Sequence, residues 1–414
     1  MSDIALPAEA VADPRTYTDP AALNGLLARL RKDDPLPYVE APGYAPFWLV
    51  TRHADLMAIE RDAKQFINEP RQAILPLAYE AMARDAAGGL EMKDFMRNLI
   101  LMDGDEHLAY REITQGYFTP KGLEAILGDI ERLAGEFIGR MAERDGTCDF
   151  AEIAMPFPLR VIMSMLGVPP EDEPMMMRLT QQTLSSQDPE FNSEGGGARN
   201  AMIEMYTYFM KVIADRRANP NGDLSSVVAN ARINGEYLAE RDVFGYFNII
   251  ATAGHDTTSY SLTGGLLALL QNPQEMAKLR ADPALMPLAV EEILRWTNPV
   301  KHFVRTAVAD CEFAGKQVKA GDYLMMHYHS ASFDEAVFGD PFTFRIDRKP
   351  NRQLAFGTGP HVCLGQYHAR FELTAFFREL LAKVEHIELA GEPRFVEGSF
   401  VGGVKYLPVS YRMR

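Results

Sequence analysis

The chain has 414 residues, of which 47% are hydrophobic, and it carries a formal net charge of −15 at pH 7. Its length favours two or three domains. The acidic balance argues against nucleic acid as a partner, because phosphate binding needs clustered Lys and Arg. Three scattered cysteines form no disulfide framework, the first residues form no signal peptide, and no apolar run reaches the roughly 18 residues that cross a bilayer. We therefore expect a soluble protein of the reducing cytoplasm, without membrane contact.

The first half of the chain is predicted to be mostly helical. Residues 1–45 are rich in Pro, Ala and Asp and are expected to wrap the surface. The further predicted elements are a strand at 48–51, a helix at 53–62, a mobile and partly helical loop at 70–100, a helix opening at 102–111, helices at 123–144 and 159–166, and a flexible connection at 185–199. Asp103 or Asp105 can cap the free N–H groups that begin the helix at 102–111.

A long and very apolar helix is predicted from Asp242 to Leu270, and a helix of this kind belongs in the centre of a large fold. Its pattern breaks at residues 253–258, which read A-G-H-D-T-T. Gly is poor in a helix interior, Thr can bend the axis by bonding a carbonyl one turn earlier, and a buried Asp is costly unless it serves a purpose. A capped break between two shorter helices remains the alternative.

The last third of the chain combines helices with short strands. The predicted elements are a helix at 287–296, strands at 304–308, 311–313, 317–318 and 323–326, an irregular segment at 338–352, a helix at 366–384, and strands in the tail from residue 395. Helix therefore dominates over a minor β component.

A rigid loop, Phe356–Gly365, presents the sulfur of Cys363 directly before a predicted helix. A thiolate can attack carbon, bind zinc, join an iron–sulfur cluster or ligate haem. Zinc and iron–sulfur clusters need about four ligands, and the chain has three cysteines without a close pair. A nucleophilic cysteine needs a histidine such as His361 to activate it. A dinucleotide-binding loop would need Gly or Ala where Val362 stands.

Haem ligation explains more of the chain than the other chemistries do. A thiolate ligand donates electron density to the iron and promotes O–O cleavage. Glycines let the backbone pass close to the porphyrin, and Phe356 can pack on its ring. The two haem propionates require cations, and the candidates are His107, Arg111, Arg305 and His361. The first two are four residues apart and so share a helix face.

Residues 356–365 match F-G-x-G-x-H-x-C-x-G and resemble the cysteine loop of the cytochrome P450 family. Residues 253–257 resemble its oxygen-activating helix, Glu292 and Arg295 its Glu–Arg pair, and residues 107–111 its propionate-binding helix. The resemblance implies a mainly α fold with a small β region and a long central helix. It also implies one triangular domain over residues 1–414, in place of the two or three domains expected from length, and haem b as cofactor.

The resemblance implies a monooxygenase that inserts one atom of O2 into a substrate C–H bond. It makes Cys363 the iron ligand, Thr257 the hydroxyl that assists oxygen activation by hydrogen bonding, and Asp256 a group that helps to deliver protons through water. The Gly254 kink would make room for O2. The other implied cofactor-binding residues are His107, Arg111, Arg305, Phe356, His361 and Gly365. Glu292 and Arg295 would support the cysteine loop structurally.

The substrate is expected to be small, neutral and hydrophobic. The positions that match the family's pocket are Ile249, Ala253, Val300, Phe303, Phe400 and Val401. They carry no charge, which disfavours a fatty-acid carboxylate. Residues 300–306 and 351–354 resemble the bacterial α-terpineol monooxygenase subgroup, which points to a monoterpenoid or an alkyl-aromatic. Phe333 departs from the family pattern, because relatives commonly carry Arg there, and this puts some salt bridging in doubt.

Electrons are expected from a separate ferredoxin or flavodoxin with its reductase, because the chain is too short for a fused reductase. A basic docking face is predicted at Arg345, Arg348, Lys349 and Arg352. A monomer is expected. The alternatives are a peroxide-driven or rearranging haem-thiolate enzyme, a haem-based binding protein, and a fatty-acid or steroid hydroxylase. Asp256 and Thr257 favour activation of O2 over the first two.

Overall fold

The structure, a computed structural model, describes residues 6–86, 97–192 and 197–414. The glycine pairs at 88–89 and 195–196, on which the sequence predicts loops, lie outside the described residues. The α-helices of the first half are α1 (Pro20–Asp33), α2 (His53–Arg61), α3 (Leu77–Ala86), α4 (Gly104–Gln115), α5 (Pro120–Leu123), α6 (Leu127–Gly139), α7 (Ala151–Ala154), α8 (Pro156–Met165), α9 (Glu173–Leu184) and α10 (Gly197–Ala218). Those of the second half are α11 (Leu224–Ala229), α12 (Glu240–Ala253), α13 (Asp256–Gln271), α14 (Pro273–Ala281), α15 (Met286–Thr297), α16 (Tyr328–Ser332) and α17 (Gln366–Lys383).

The strands are short and form small sheets. They are β1 (Tyr38–Val39), β2 (Phe47–Val50), β3 (Phe66–Ile67), β4 (Thr147–Asp149), β5 (Arg232–Ile233), β6 (Glu236–Tyr237), β7 (His302–Ala307), β8 (Cys311–Phe313), β9 (Lys316–Val318), β10 (Tyr323–His327), β11 (Val384–Leu389), β12 (Arg394–Phe395), β13 (Val404–Tyr406) and β14 (Pro408–Met413). The largest sheet has the order β1-β2-β10-β7-β3, in which β2 and β10 are parallel. A second sheet has the order β11-β14-β4. The mainly α fold with a small β region is therefore confirmed.

The largest hydrophobic core joins α6, α8, α13, α15 and α17. Its central side chains are fully buried and include Phe137, Phe157, Leu266, Ile293 and Phe376. Burial of one such side chain stabilises the fold by about 1.5–3 kcal/mol. This core sets α13, which follows the A-G-H-D-T-T break, against α17, which follows the cysteine loop. The two candidate chemical segments therefore approach each other.

The expectation that residues 1–45 wrap the surface is wrong for the described residues from 6 onward. Helix α1 buries Leu23, Leu26, Leu27 and Leu30, which recur at the i, i+3, i+4, i+7 spacing of one helix face. That face packs on Phe47 and other buried residues of the five-stranded sheet. The N-terminal segment therefore has a core of its own.

Two helix predictions need correction. The helix expected at 123–144 spans Leu127–Gly139 and continues as a 3₁₀ turn over Arg140–Glu143. Asp103 stands at the N-cap of α4, yet its carboxylate accepts the N–H groups of Asn68 and Glu69 instead of those of the helix. Asp103 therefore joins α4 to the end of β3.

The long central helix is interrupted between α12 and α13, at Gly254 and His255. The hydroxyl of Thr257 donates to the carbonyl of Ala253 at 2.8 Å, which is the bond predicted for a bent axis. The sequence alternative of two shorter helices therefore describes the structure better than one continuous helix. A Cβ atom on Gly254 would lie 2.8 Å from Cδ1 of Ile162, so any side chain at the break would require Ile162 to shift.

Candidate active site

The cysteine loop is closed by backbone hydrogen bonds. The N–H of Cys363 donates to the carbonyl of Phe356 at 2.9 Å, and a 3₁₀ turn over Gly359–His361 fills the loop. Burial raises the pKa of the Cys363 thiol, whereas the N–H of Gly365, which donates to the sulfur, and the charge of Arg111 lower it. Both opposing groups stabilise a thiolate. The sequence predicted such backbone support.

The loop rests on α2 through Glu60, a residue that the sequence reasoning missed. The N–H of Thr358 donates to Oε2 of Glu60 at 2.8 Å. Gly359 has φ +69°, and a Cβ atom there would lie 2.4 Å from the Glu60 carbonyl oxygen. The conformation of Gly359 and its close contact with α2 therefore require glycine here, independently of the porphyrin clearance predicted for the loop glycines.

Glu60 connects three elements around the site. Its Oε1 accepts the hydroxyl of Tyr328 at 2.6 Å and lies 3.6 Å from Nη2 of Arg305. The carboxyl is buried, and this burial raises its pKa against the opposing effect of Arg305. A signal was present in the sequence: Glu60 follows the buried Leu56 and Ile59 on the inward face of a short helix. A charged group at such a position needs a partner.

One cavity of about 1480 Å³, including the part that opens to solvent, reaches Cys363. It is lined by every predicted cofactor-binding residue, namely His107, Arg111, Arg305, Phe356, His361, Cys363 and Gly365. The Arg111 guanidinium also donates to the carbonyl of Val362 at 2.7 Å, which ties α4 to the cysteine loop. The structure thus brings together residues that are up to 258 positions apart in the chain.

The two predicted histidine cations are neutral in this environment. The rings of His107 and His361 stack with centroids 3.8 Å apart. Burial and the charge of Arg111 lower the pKa of His107 to about 4, and burial and His107 lower that of His361 still further. The positive charge of this end of the cavity therefore comes from Arg111 and Arg305. The histidines offer ring nitrogens, and Nε2 of His107 is buried without a hydrogen-bond partner in the described part of the chain.

The predicted substrate contacts separate into two layers. Ile249, Ala253, Val300 and Phe303 line the cavity, together with Gly254 and Thr257. Phe400 and Val401 stand behind this wall and not in it. The Phe400 ring packs on Phe303 with centroids 5.5 Å apart, and Val401 pairs with Val300 through an isolated β-bridge. The tail therefore contacts two residues of the wall without lining the cavity itself.

Asp256 and Thr257 face different surroundings. Thr257 lines the cavity, whereas Asp256 is buried and is not among the lining residues. Oδ1 of Asp256 lies 3.0 Å from Nδ1 of His255, and its Oδ2 has no hydrogen-bond partner in the described ranges. The two residues that the sequence assigned to oxygen activation therefore contact the cavity directly only through Thr257.

Comparisons with known proteins decide the family. The sequence model of cytochrome P450 matches residues 198–404. The chain is 39% identical to cytochrome P450-terp from a Pseudomonas species over 96% of this chain and 95% of that protein. The chain belongs to the cytochrome P450 family. It is also 34% identical to a steroid C26-monooxygenase from Mycolicibacterium smegmatis, over 93% and 90% of the two chains. The crystal structure of CYP108D1 from Novosphingobium aromaticivorans superposes with a TM-score of 0.91, 41% identity and 99% coverage of both chains.

As a cytochrome P450, the protein is a haem-thiolate monooxygenase that uses O2, a redox partner and haem b. The cavity residues fit this cofactor. A single buried sulfur with an N–H donor suits one axial ligand, and Arg111 and Arg305 suit two carboxylates. The unpartnered Nε2 of His107 provides a further polar contact at that end. Among the described residues, no helix is both long and apolar enough to cross a membrane.

The Glu–Arg pair of this P450 is a larger buried network. Both guanidinium nitrogens of Arg295 that face Glu292 lie 2.8 Å from its carboxylate, and both residues are fully buried. Arg348 donates to the same carboxylate at 3.0 Å and is 3% exposed. Its inclusion in a docking face is therefore wrong, because Glu292 and three backbone carbonyls hold its charge inside the fold. Arg345, Lys349 and Arg352 are exposed.

Proposed function

We propose that this P450 hydroxylates a small, neutral, hydrophobic substrate, a monoterpenoid or an alkyl-aromatic. The observation that carries the proposal is the apolar wall formed by Ile249, Ala253, Val300 and Phe303. Arg305, a cation that lines the same cavity, faces the carboxylate of Glu60 at 3.6 Å. An anionic substrate would have to compete with that carboxylate. A neutral substrate needs only the apolar contact, which contributes about 25 cal/mol per Å² of buried apolar surface.

The relatives support two substrate classes. The name of the P450-terp relative refers to terpenes, and that protein shares 39% of the aligned residues. The steroid C26-monooxygenase relative supports a steroid as the second candidate. We favour the smaller substrate because the wall residues Phe303 and Val300 are held from the tail, Phe303 by the Phe400 ring and Val300 by a backbone bridge to Val401.

The site residues are assigned roles on this basis. Bound haem supplies the redox centre at which O2 is activated. Cys363 would hold the haem iron, and the N–H of Gly365 and the charge of Arg111 favour the thiolate. Arg111 and Arg305 would balance the charge of the propionates, with His107 and His361 as hydrogen-bonding neighbours.

The apolar residues that line the cavity exclude bulk water and orient the substrate. The Thr257 hydroxyl borders the cavity and can turn from the Ala253 carbonyl toward a ligand there. Asp256 lies one residue away and passes protons toward Thr257 through water. Glu292 and Arg295 keep the segment before the cysteine loop in place. We further propose that residues 1–414 form one domain.

Electrons are proposed to come from a separate ferredoxin and its reductase. Arg345, Lys349 and Arg352 are exposed within the eighteen residues that precede Cys363 in the chain. A cationic surface there attracts the acidic surface of a small electron carrier and accelerates association at low salt.

The test is a ligand panel scored by the haem spin-state shift. Monoterpenoids, alkylbenzenes, steroids and fatty acids are titrated into the ferric protein, and hits are incubated with NADH, ferredoxin and reductase. The proposal expects saturable shifts and hydroxylated product with the first two classes. A shift with steroids alone would favour the second candidate, and turnover with peroxide alone would favour the peroxide-driven alternative. Ala253→Leu should abolish the shift and preserve the reduced carbon monoxide spectrum, because it fills the cavity and leaves the cysteine loop intact.

A further inference from the structure

His255 stands at the break between α12 and α13 and is completely buried. Its Nδ1 lies 3.0 Å from Oδ1 of Asp256 and 3.0 Å from the hydroxyl oxygen of Thr180 on α9. Its Nε2 lies 3.2 Å from the backbone carbonyl of Met155. The side chain therefore has a polar contact at both ring nitrogens. Neither the cysteine loop nor the substrate wall accounts for it.

These contacts restrict where protons are found. A carbonyl only accepts hydrogen bonds, so the bond to Met155 requires a proton on Nε2 of His255. If Nδ1 then carried only its lone pair, that lone pair would face a carboxylate oxygen of Asp256 at 3.0 Å. The contact becomes attractive when the histidine is doubly protonated or when the carboxyl holds a proton. In both states the pair holds one proton beyond the one on Nε2.

The surroundings offer Asp256 no competing cation. Among the described residues, the ion pairs of Asp256 are confined to His255. From α9 the pair meets Thr180, and from the junction of α7 and α8 it meets the carbonyl of Met155. The titratable neighbour on α13 is Tyr260, which burial and the charge of Asp256 keep protonated by raising its pKa. Asp188 acts on Tyr260 in the same direction.

We propose that His255 is a positioning residue that keeps one proton on the His255–Asp256 pair, so that the pair serves as the proton reserve of the oxygen-activating site. This inference rests on the proposed function. Asp256 is the first residue of α13, so its carboxylate lies at the N-terminal end of that helix beside His255. When the reserve delivers a proton, an N–H bond of His255 breaks, the proton leaves to water through Asp256, and the pair changes from neutral to a charge of −1. A proton from solvent restores it.

The first test needs neither substrate nor turnover. In His255→Gln the side-chain amide nitrogen can keep a hydrogen bond to Met155, but no group replaces Nδ1, so Asp256 loses its counter-charge. The unfolding equilibrium of holoenzyme is measured by urea denaturation for wild type, His255→Gln, Asp256→Asn and the double variant. We expect His255→Gln to raise the unfolding constant at least tenfold more in the Asp256 background than in the Asp256→Asn background. Equal effects in the two backgrounds would overturn the inference, whatever substrate the enzyme uses.

The second test distinguishes proton supply from a structural role. With a substrate identified by the spin-state panel, we expect His255→Gln to lower product formed per NADH about fivefold, to release the missing electrons as hydrogen peroxide, and to increase the solvent deuterium isotope effect. The double variant should form as much product per NADH as Asp256→Asn alone. Thr180→Val is the matched control, because it removes the other Nδ1 contact and should couple like wild type. Wild-type coupling in His255→Gln would contradict the proposal, whereas absence of product in wild type would contradict the proposed function instead.

Discussion

The guanidinium carbon of Arg295 lies 4.9 Å from the centre of the Phe333 ring. Phe333 also packs on Trp296, with ring centroids 5.4 Å apart, and is 2% exposed. The resemblance to the cytochrome P450 family implies an arginine at this position. Arg295 keeps its own hydrogen bonds to the carbonyls of Ser332 and Pro341. The aromatic ring of Phe333 therefore makes a cation–π contact with Arg295 where a second guanidinium would otherwise stand. The buried network of Glu292 and Arg295 is complete without that second guanidinium.

Replacement of Phe333 tests this contact. Phe333→Leu should lower the free energy of unfolding by about 2 kcal/mol, because ring packing and the cation–π contact are lost. Phe333→Arg should be worse, since it buries a second cation beside Arg295 without a carboxylate to pair it. Urea denaturation of holoenzyme measures both. Phe342→Leu is the control, because Phe342 stacks on Phe333 from the surface and is 46% exposed. A Phe333→Arg protein as stable as wild type would refute the account.

The features that the sequence predicted well depend on local chemistry. The break at Gly254 follows from a hydroxyl and a carbonyl four residues apart. The Glu292–Arg295 pair needs only an i, i+3 spacing on α15. The cysteine loop closes through groups seven residues apart, Cys363 and Phe356. Short-range constraints of this kind are encoded in the residues themselves.

The features that the sequence reasoning missed depend on distant partners. Glu60 supports Thr358 across 298 positions, and His255 meets Thr180 across 75. The sequence predicts Arg348 as part of an exposed basic run, but its side chain is buried and donates a hydrogen bond to Glu292. Hydrophobic periodicity predicts which face of an element is buried, but it does not predict which residues that face contacts. None of these partners could therefore be predicted from it.

The spectrum of the reduced protein with carbon monoxide tests Cys363 as the iron ligand. Cys363→Ala should lose the thiolate-type absorbance completely, because no other cysteine lines the cavity among the described residues. Cys311→Ala, on β8, is the matched control and should keep the wild-type spectrum. A thiolate-type spectrum that survived in Cys363→Ala would exclude the assignment.

The Glu292 network predicts an order of stability losses. Arg295→Met leaves a fully buried carboxylate without its bidentate partner and should cost about 3–5 kcal/mol. Arg348→Met should cost less, because Arg295 stays paired with Glu292. Arg412→Met, which breaks an exposed pair with Glu385 away from the cysteine loop, is the control and should cost less than either. Denaturation midpoints and haem-loss rates report the order, and an Arg348→Met loss greater than that of Arg295→Met would reverse our account.

Charge reversal tests the docking surface without disturbing that network. Arg345→Glu with Lys349→Glu should slow reduction by ferredoxin about tenfold at low salt, and the difference should shrink as salt rises because exposed charges are screened. Stopped-flow absorbance measures the rate. The matched control is Arg412→Glu with Arg414→Glu, at the end of β14. The partner strand of β14, β11, follows the far end of α17, about 27 Å along that helix from the cysteine loop. Similar slowing by the control would show that the slower reduction results from the change in net charge and not from loss of this docking surface.

His302 makes stability depend on pH through a fixed pair of hydrogen bonds. Its Nε2 accepts the N–H of Ile74 at 3.0 Å, and its Nδ1 donates to the carbonyl of Ser399 at 2.9 Å. A second proton on Nε2 would oppose the Ile74 N–H. Burial lowers the pKa of His302 from 6.5 to about 4. The unfolded chain therefore binds this proton at a higher pH than the folded chain does.

The sign of the effect follows directly. The contribution of His302 is complete above about pH 6.5, falls as pH decreases, and stops changing below about pH 4. At about 1.4 kcal/mol per pH unit, its loss from pH 7.5 to pH 5 is about 2 kcal/mol. In His302→Gln the fall in unfolding free energy over that range should be smaller by this amount, whatever the cost at pH 7.5. His386→Gln, at an exposed position on β11, should keep the full wild-type fall, and an unchanged fall in His302→Gln would show that His302 takes up no proton on unfolding.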